Sequence, residues 1–182
     1  PIRRSIVELH WRFTKDPSFF TTDYDEIFDT PNFTSLGGQK VQTLPTNQRL
    51  TFLAFHCTKH QCTRLLWICD FALAFNRMPP AKWTKVVRES TPAAGWCLIA
   101  AVLMLEMLGL VSNLKDNGID FDRWRRDMKP MLATMLHALK ADEAFPPTAT
   151  FKLVFWRARL SGEWKRLVIP PLRYILPIRD DL

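Results

Sequence analysis

Imidazole, cationic and acidic side chains recur at helical spacing in the middle of the sequence. The set comprises His56, Lys59, His60, Arg64, Trp67 and Asp70. At about 100° per residue, His56 and His60 lie about 40° apart around a helix. If that helix is continuous, Arg64, Trp67 and Asp70 fall near the same arc, with Lys59 at its edge. A polar stripe of this kind is costly in a core unless its charges are paired, so its residues are candidates for binding or catalysis.

Three interpretations of this stripe remain open from the residues alone. Asp70 could pair with Arg64 or Lys59 and join two helices. The basic groups could instead hold a polyphosphate, as lysine and arginine commonly do. His56 and His60 could share a metal ion, although no Glu follows His56 as in a metalloprotease helix.

A second candidate lies near the beginning of the sequence, on a predicted strand. Ser5 to Phe13 alternates between apolar and polar residues, and Glu8, His10 and Arg12 share the polar face. A carboxylate on a strand surface can be aimed at a metal ion in a cleft. The alternative is that Glu8 is simply solvated.

Composition and charge limit the classes of protein to which this chain can belong. The chain has 182 residues with 25 Lys plus Arg, 18 Asp plus Glu and a net charge of +7. This charge favours a polyanionic partner, although it does not by itself indicate nucleic acid. No Gly-x-Ser-x-Gly elbow and no phosphate-loop pattern occurs in the sequence. The four cysteines form no CxxC pair, and we predict free thiols in a cytoplasmic protein.

Two further features have structural explanations at this stage. The apolar run from Ala93 to Val111 contains Glu106, and we predict a buried core helix rather than a membrane span. Two acidic pairs lie beside predicted helix starts, where capping explains them. They are Asp23 with Asp25 and Asp120 with Asp122.

The predicted elements are a small amount of β-structure followed by a helical body. After the first strand we predict a short helix at 21–28, a loop at 31–38 and an edge strand at 39–44. Helices follow from Pro45 onward, with Thr46 or Asn47 as the first cap. The first is expected to include Leu50 to Cys57, and others are expected near 63–76, 83–89, 93–108 and 122–141, the last divided at Pro130. A helix or short helices are expected at 151–159 and 164–169. The predicted fold is mainly α with a small N-terminal β element, an α+β class.

The β-element suggests a domain organisation. A lone strand with an apolar face needs partner strands, and the sequence begins at Pro1 with no initiator Met. We therefore expect residues 1–44 to be the remnant of a sheet domain. Residues 45–145 would form a helical domain, and residues 146–182 a C-terminal helix and Pro-rich arm.

Two blocks of residues together resemble a known family. One is Glu8-Leu9-His10-Trp11-Arg12-Phe13, and the other joins His56-x-x-Lys59-His60 to Arg64-Leu65-x-Trp67-x-x-Asp70, with Leu44-Pro45 between the blocks. They resemble the bacterial family of uncharacterised nucleotidyltransferases, within the DNA polymerase β-like nucleotidyltransferase superfamily. The resemblance covers most of residues 6–176.

The resemblance implies three carboxylates on a small sheet around two Mg²⁺ ions, and transfer of a nucleotidyl group from a nucleoside triphosphate to an acceptor. Glu8 matches the third carboxylate. Lys59, Arg64 and Asp70 match positions on the nucleotide side of the cleft, and His10, His56 and His60 are the accompanying candidates. The sequence lacks the Gly-Ser turn and the Asp-x-Asp pair that supply the other two acids.

The predicted function is therefore the C-terminal part of a magnesium-dependent nucleotidyltransferase, inactive on its own, with an unknown acceptor. One alternative is a non-catalytic helical module that binds a nucleotide or a partner. A second alternative is a metal-dependent hydrolase that uses His56, His60 and Asp70.

Overall fold

The computed structural model describes residues 29, 31–60, 62–111, 114 and 118–141. Within these residues an antiparallel pair of strands precedes five helices, which confirms the predicted class. The strands are β1 (Asn32–Leu36) and β2 (Gln39–Thr43), and the helices are α1 (Thr46–Lys59), α2 (Leu65–Asn76), α3 (Pro80–Glu89), α4 (Pro92–Met107) and α5 (Phe121–Ala141). The strand predicted at 5–13, with Glu8 and His10, lies outside the described residues. So do the helix predicted at 21–28 and everything predicted after residue 141.

The two strands form a tight hairpin, so the loop predicted at 31–38 is wrong, while the strand predicted at 39–44 is confirmed. Asn32 pairs with Thr43, and Leu36 pairs with Gln39. Gly37 and Gly38 connect the strands with φ of +57° and +80°. Two consecutive residues with positive φ are what a two-residue hairpin turn requires, and Gly-Gly supplies them without a Cβ penalty.

α1 begins without the side-chain cap that was predicted at Thr46 or Asn47. Pro45 occupies the cap position, and no side chain bonds to the first turn. The hydroxyl of Thr46 instead accepts a hydrogen bond from Asn32 Nδ2 at 3.2 Å. The start of α1 is therefore tied to β1 rather than capped by its own side chains.

α1 and α2 are separate helices, which confirms the second helix predicted from about residue 63, and the condition of one continuous helix over residues 56–70 is not met. Cys62 has φ of +53°, which a helix cannot contain. Its N–H donates to the carbonyl of Cys57 at 2.7 Å and closes the end of α1. α2 then begins at Leu65, after the extended Arg64.

The centre of the helical body is α4, which packs against the other four helices. Thirteen successive residues, from Ala93 to Leu105, are buried. Thr91 caps the helix by accepting a hydrogen bond from the N–H of Ala94 at 3.2 Å. The prediction of a buried core helix is confirmed, and within the described residues no helix is long and apolar enough to cross a membrane.

α5 continues through Pro130, so the predicted division at this residue is wrong. The proline is exposed, while Met128 and Met131 on either side of it are buried. Its missing N–H therefore lies on the solvent side, and the flanking methionines hold the helix against the core. The cost of one absent hydrogen bond is offset by this packing.

Glu106, the acidic residue of the apolar run, joins α4 to α5. Its carboxylate accepts two hydrogen bonds from Arg125, from Nε at 2.8 Å and from Nη2 at 2.6 Å. The pair raises the pKa of Arg125, and Asp122 adds a third bond at 2.6 Å. Asp120, by contrast, accepts from the N–H of Arg123 at 2.9 Å, as expected of a cap.

Candidate functional site

Two imidazoles and an indole pack together where α1 ends and α2 begins. The ring centroids of His56 and His60 are 4.8 Å apart. Trp67 lies 5.1 Å from His56, nearly perpendicular to it, and 4.6 Å from His60 with the planes tilted by 32°. All three side chains are partly exposed. We refer to His56, His60 and Trp67 as the His–Trp cluster.

One cation, Arg64, contacts this cluster, and a second, Lys59, precedes His60 in the chain. The guanidinium carbon of Arg64 lies 5.3 Å from the centroid of Trp67, within the range of a cation–π contact. Lys59 is exposed in the last turn of α1, where the helix dipole favours a positive charge. The fold thus groups four of the sequence-predicted residues at one end of α1. They are His56, Lys59, His60 and Arg64.

The cluster combines the chemical properties that a nucleotide needs. Aromatic rings offer faces on which a base can stack, and cations attract phosphate oxygens. Both properties come from the turn between α1 and α2. The backbone bond from the N–H of Cys62 to the carbonyl of Cys57 closes this turn at 2.7 Å.

Asp70, the remaining described candidate, lines a different surface. Within the described residues, no ion pair joins it to Arg64 or to Lys59. Its neighbours are three cations that the sequence reasoning did not select, Arg49, Arg77 and Lys82. We refer to Asp70 with these three cations and the adjoining apolar wall as the basic groove, whose volume is about 560 Å³.

The basic groove lies between the beginning of α1, the end of α2 and the beginning of α3. A signal in the sequence could have pointed to Arg49, because Arg49, Leu53, His56 and His60 are spaced 4, 3 and 4 residues apart. Residues at this spacing share one helix face. One face of α1 therefore runs from the basic groove to the His–Trp cluster. The two ends are about 16 Å apart at a rise of about 1.5 Å per residue.

Three of the four cysteines are buried near the same turn. The sulfur atoms of Cys57 and Cys62 share a hydrogen bond at 2.6 Å, and Cys97 on α4 is also buried. Burial raises the pKa of the Cys62 thiol well above its usual range, and Cys57 acts in the same direction. Cys69 is exposed, and all four thiols are free.

The described residues do not form a metal site. Among them, no group of three His, Cys, Asp or Glu side chains is placed to hold a metal ion. His56 and His60 therefore have no third ligand in the described part of the chain. Glu8, predicted as a magnesium ligand, and His10 lie outside it.

The described part of the chain is a mainly helical body with a small antiparallel sheet, and it carries an aromatic and cationic surface. The sequence model of the uncharacterised nucleotidyltransferase family matches residues 2–105, more than half of the chain, and the chain belongs to that family. No curated protein and no solved structure matches it. The matched range includes Glu8 and His10, the hairpin, α1 to α3 and most of α4, whereas α5 follows it.

Proposed function

We propose that the chain is part of a magnesium-dependent nucleotidyltransferase that moves a nucleotidyl group from a nucleoside triphosphate to an acceptor not yet identified. Family membership supports the reaction class and a nucleotide substrate. The observation that carries the proposal is the His–Trp cluster with Arg64 beside it. In this proposal the cluster stacks the base, and Arg64 and Lys59 attract the phosphates.

The proposed transfer reaction also needs carboxylates that bind Mg²⁺. Mg²⁺ would activate the acceptor hydroxyl and neutralise the triphosphate. Glu8 would be one ligand, but the 182 residues contain no Gly-Ser turn followed by Asp-x-Asp. The described residues do not fit such a site either. We therefore expect this polypeptide to bind nucleotide but not to transfer it unless further carboxylates are supplied.

The same observations favour a second candidate, a non-catalytic helical module that binds nucleotide. The two candidates differ in whether Glu8 matters for binding. If calorimetry with ATP and Mg²⁺ gives the same Kd for the parent chain and for Glu8→Ala, the module is favoured. A large loss of magnesium-dependent affinity favours the transferase.

The role of the cluster is tested by titrating ATP into Trp67→Leu and Arg64→Ala. Base stacking on an aromatic side chain contributes about 1–3 kcal/mol, so Trp67→Leu should weaken binding about 5- to 150-fold. Trp124→Leu and Arg126→Ala, both on α5, remove the same residue types elsewhere. Equal losses in the two sets, or no loss in either, would rule out the cluster as the nucleotide site.

We also propose a cellular location for the protein. Four free thiols support a reducing environment, and we place the protein in the bacterial cytoplasm. Alkylation of cells before lysis, followed by mass spectrometry, should find Cys57 and Cys62 as free thiols. A disulfide between them would contradict this placement.

A further inference from the structure

The basic groove carries three cations against one carboxylate, Asp70, so its lining has an excess of positive charge. Arg49, Arg77 and Lys82 all line it, and within the described part of the chain none of the three forms an ion pair. Elsewhere in the described residues, Lys85 is paired with Glu89 at 3.6 Å and Arg125 with Glu106. Like charges brought together on three helices repel one another, and a bound anion would relieve that repulsion.

Two helix starts add to this field. Thr46, the first residue of α1, and Pro79, the cap residue of α3, both line the groove. Neither helix has an acidic residue in its first turn. The partial positive charge at the beginning of each helix is therefore not compensated by its own side chains, and it acts together with the three cations on an anion in the groove.

The rest of the groove limits what kind of anion fits. Asp70 places one carboxylate among the cations, and a carboxylate accepts hydrogen bonds from hydroxyl groups. Leu53 and Leu73 form an apolar wall. A volume of about 560 Å³ is within the range of small-molecule sites.

We propose that the basic groove binds a phosphorylated sugar, with its phosphate on Arg49, Arg77 and Lys82 and a sugar hydroxyl on Asp70. The far ends of the groove and of the His–Trp cluster, Arg49 and His60, are about 16 Å apart along α1, while Asp70 of the groove lies one turn from Trp67 on α2. A free sugar phosphate and the ribose phosphate unit of a nucleotide share this chemistry. The proposal does not depend on nucleotidyl transfer.

The test is a set of calorimetric titrations of the 182-residue chain with ribose 5-phosphate, inorganic phosphate and ribose. Ribose 5-phosphate should bind more tightly than phosphate, and ribose should not bind measurably. Arg77→Ala should weaken ribose 5-phosphate about tenfold or more, because hydrogen bonds to charged groups are the strong ones. Asp70→Asn should weaken ribose 5-phosphate but leave phosphate binding unchanged or tighter.

Arg126→Ala on α5 is the matched control, since it removes an exposed arginine outside the groove. Equal weakening by Arg77→Ala and Arg126→Ala would show that the loss of affinity comes from the overall charge of the protein and not from the groove. That result would overturn the proposal. Failure of the parent chain to bind ribose 5-phosphate at millimolar concentration would also overturn it. Lys82→Gln provides a second variant if Arg77→Ala does not give the parent circular dichroism spectrum.

Two further titrations separate this site from the nucleotide site. Trp67→Leu should leave ribose 5-phosphate binding unchanged. A titration with AMP then shows whether the groove takes a free sugar phosphate or the ribose phosphate of a nucleotide. A loss of AMP binding in Arg77→Ala would assign the groove to the ribose phosphate of the nucleotide. If AMP affinity falls only in Trp67→Leu, the groove takes a free sugar phosphate. A failure to bind ATP would overturn the proposed function without affecting this result.

Discussion

The rings of His60 and Trp67 lie with centroids 4.6 Å apart and planes tilted by 32°, across the turn that ends α1 and begins α2. This contact joins His60, the residue that caps the end of α1, to the first turn of α2. It therefore sets the position of the indole relative to both imidazoles. The same pair is both a structural contact and the centre of the proposed nucleotide site.

The contact between His60 and Trp67 should be measurable in a double-mutant cycle. Aromatic pairs contribute about 0.5–1.5 kcal/mol beyond the area that they bury. We expect His60→Ala and Trp67→Leu to show a coupling free energy in that range by urea denaturation. As a control, His137→Ala with Trp67→Leu should be additive, because His137 lies on α5. Additivity of His60 with Trp67 would show that the rings do not stabilise each other.

The ion pair between Glu106 and Arg125 should stabilise the docking of α5 on α4. Two charge-assisted bonds link the side chains, which are 26% and 38% exposed. We expect Arg125→Met to lower the free energy of unfolding by about 1–2 kcal/mol, at the lower side of values for bonds to charged groups because solvent screens the pair.

Arg123→Met is the matched control for this prediction. Arg123 pairs with Asp127 at 3.7 Å, but the side chains are 72% and 44% exposed. Its substitution should cost less than about 0.5 kcal/mol. If the two variants lose the same stability in urea, the bond to Glu106 has no special role in joining the helices.

Replacing Pro130 by alanine should stabilise the chain. Alanine restores the N–H that bonds one turn back in α5 and removes the steric conflict of the ring, effects that together are worth up to about 3 kcal/mol. Proline also restricts the conformations of the unfolded chain. Losing that restriction reduces the stability gained with alanine by about 0.4–1 kcal/mol. We therefore expect a net gain of about 1–2 kcal/mol in thermal or urea unfolding.

The control for Pro130 is Pro92→Ala. Pro92 is the first residue of α4, where a missing N–H has no helical partner to lose. That substitution should be neutral or slightly destabilising. A stabilisation of equal size at both positions would mean that the helix interior is not the cause.

The buried thiol of Cys62 should make stability fall at alkaline pH. Its pKa is raised in the folded chain, mainly by burial, whereas an unfolded cysteine titrates near 8.5. Above about pH 8.5 the unfolded state loses a proton that the folded state retains, so the free energy of unfolding decreases as pH rises. Below that pH the contribution is fully present.

Urea denaturation at pH 7.5 and at pH 9.5 checks this pH dependence. Cys62→Ala should reduce the difference between the two values, whereas Cys69→Ala should not, since Cys69 is exposed. If both variants reduce the difference between the two pH values equally, the pH dependence does not come from Cys62. Iodoacetamide should correspondingly label Cys69 first in the folded chain.

Proline positions explain why much of the helical body could be predicted. Pro80 and Pro92 occupy the first positions of α3 and α4, which proline favours because it has no N–H to leave unpaired. The end of α1 could not be predicted in this way. It depends on a left-handed backbone conformation at Cys62, which residues other than Gly and Asn rarely adopt.

The candidate site was predictable where its residues are close in sequence, including Arg64 and Trp67 beyond the end of α1. His56 and His60 lie one turn apart, so their spacing alone placed them together. Arg49, Arg77 and Lys82 come from three helices, and their meeting depends on how those helices pack. Likewise, the partner of Glu106 is nineteen residues away, beyond the reach of any local pattern.

The hairpin β1–β2 contributes little surface to the core, because only Thr43 among its strand residues is even half-buried. An isolated two-stranded hairpin is marginally stable in water. Its amide protons should therefore exchange through small local openings, at rates that report the free energy of the hairpin alone. The amides of α4 should exchange only when the whole helical body unfolds.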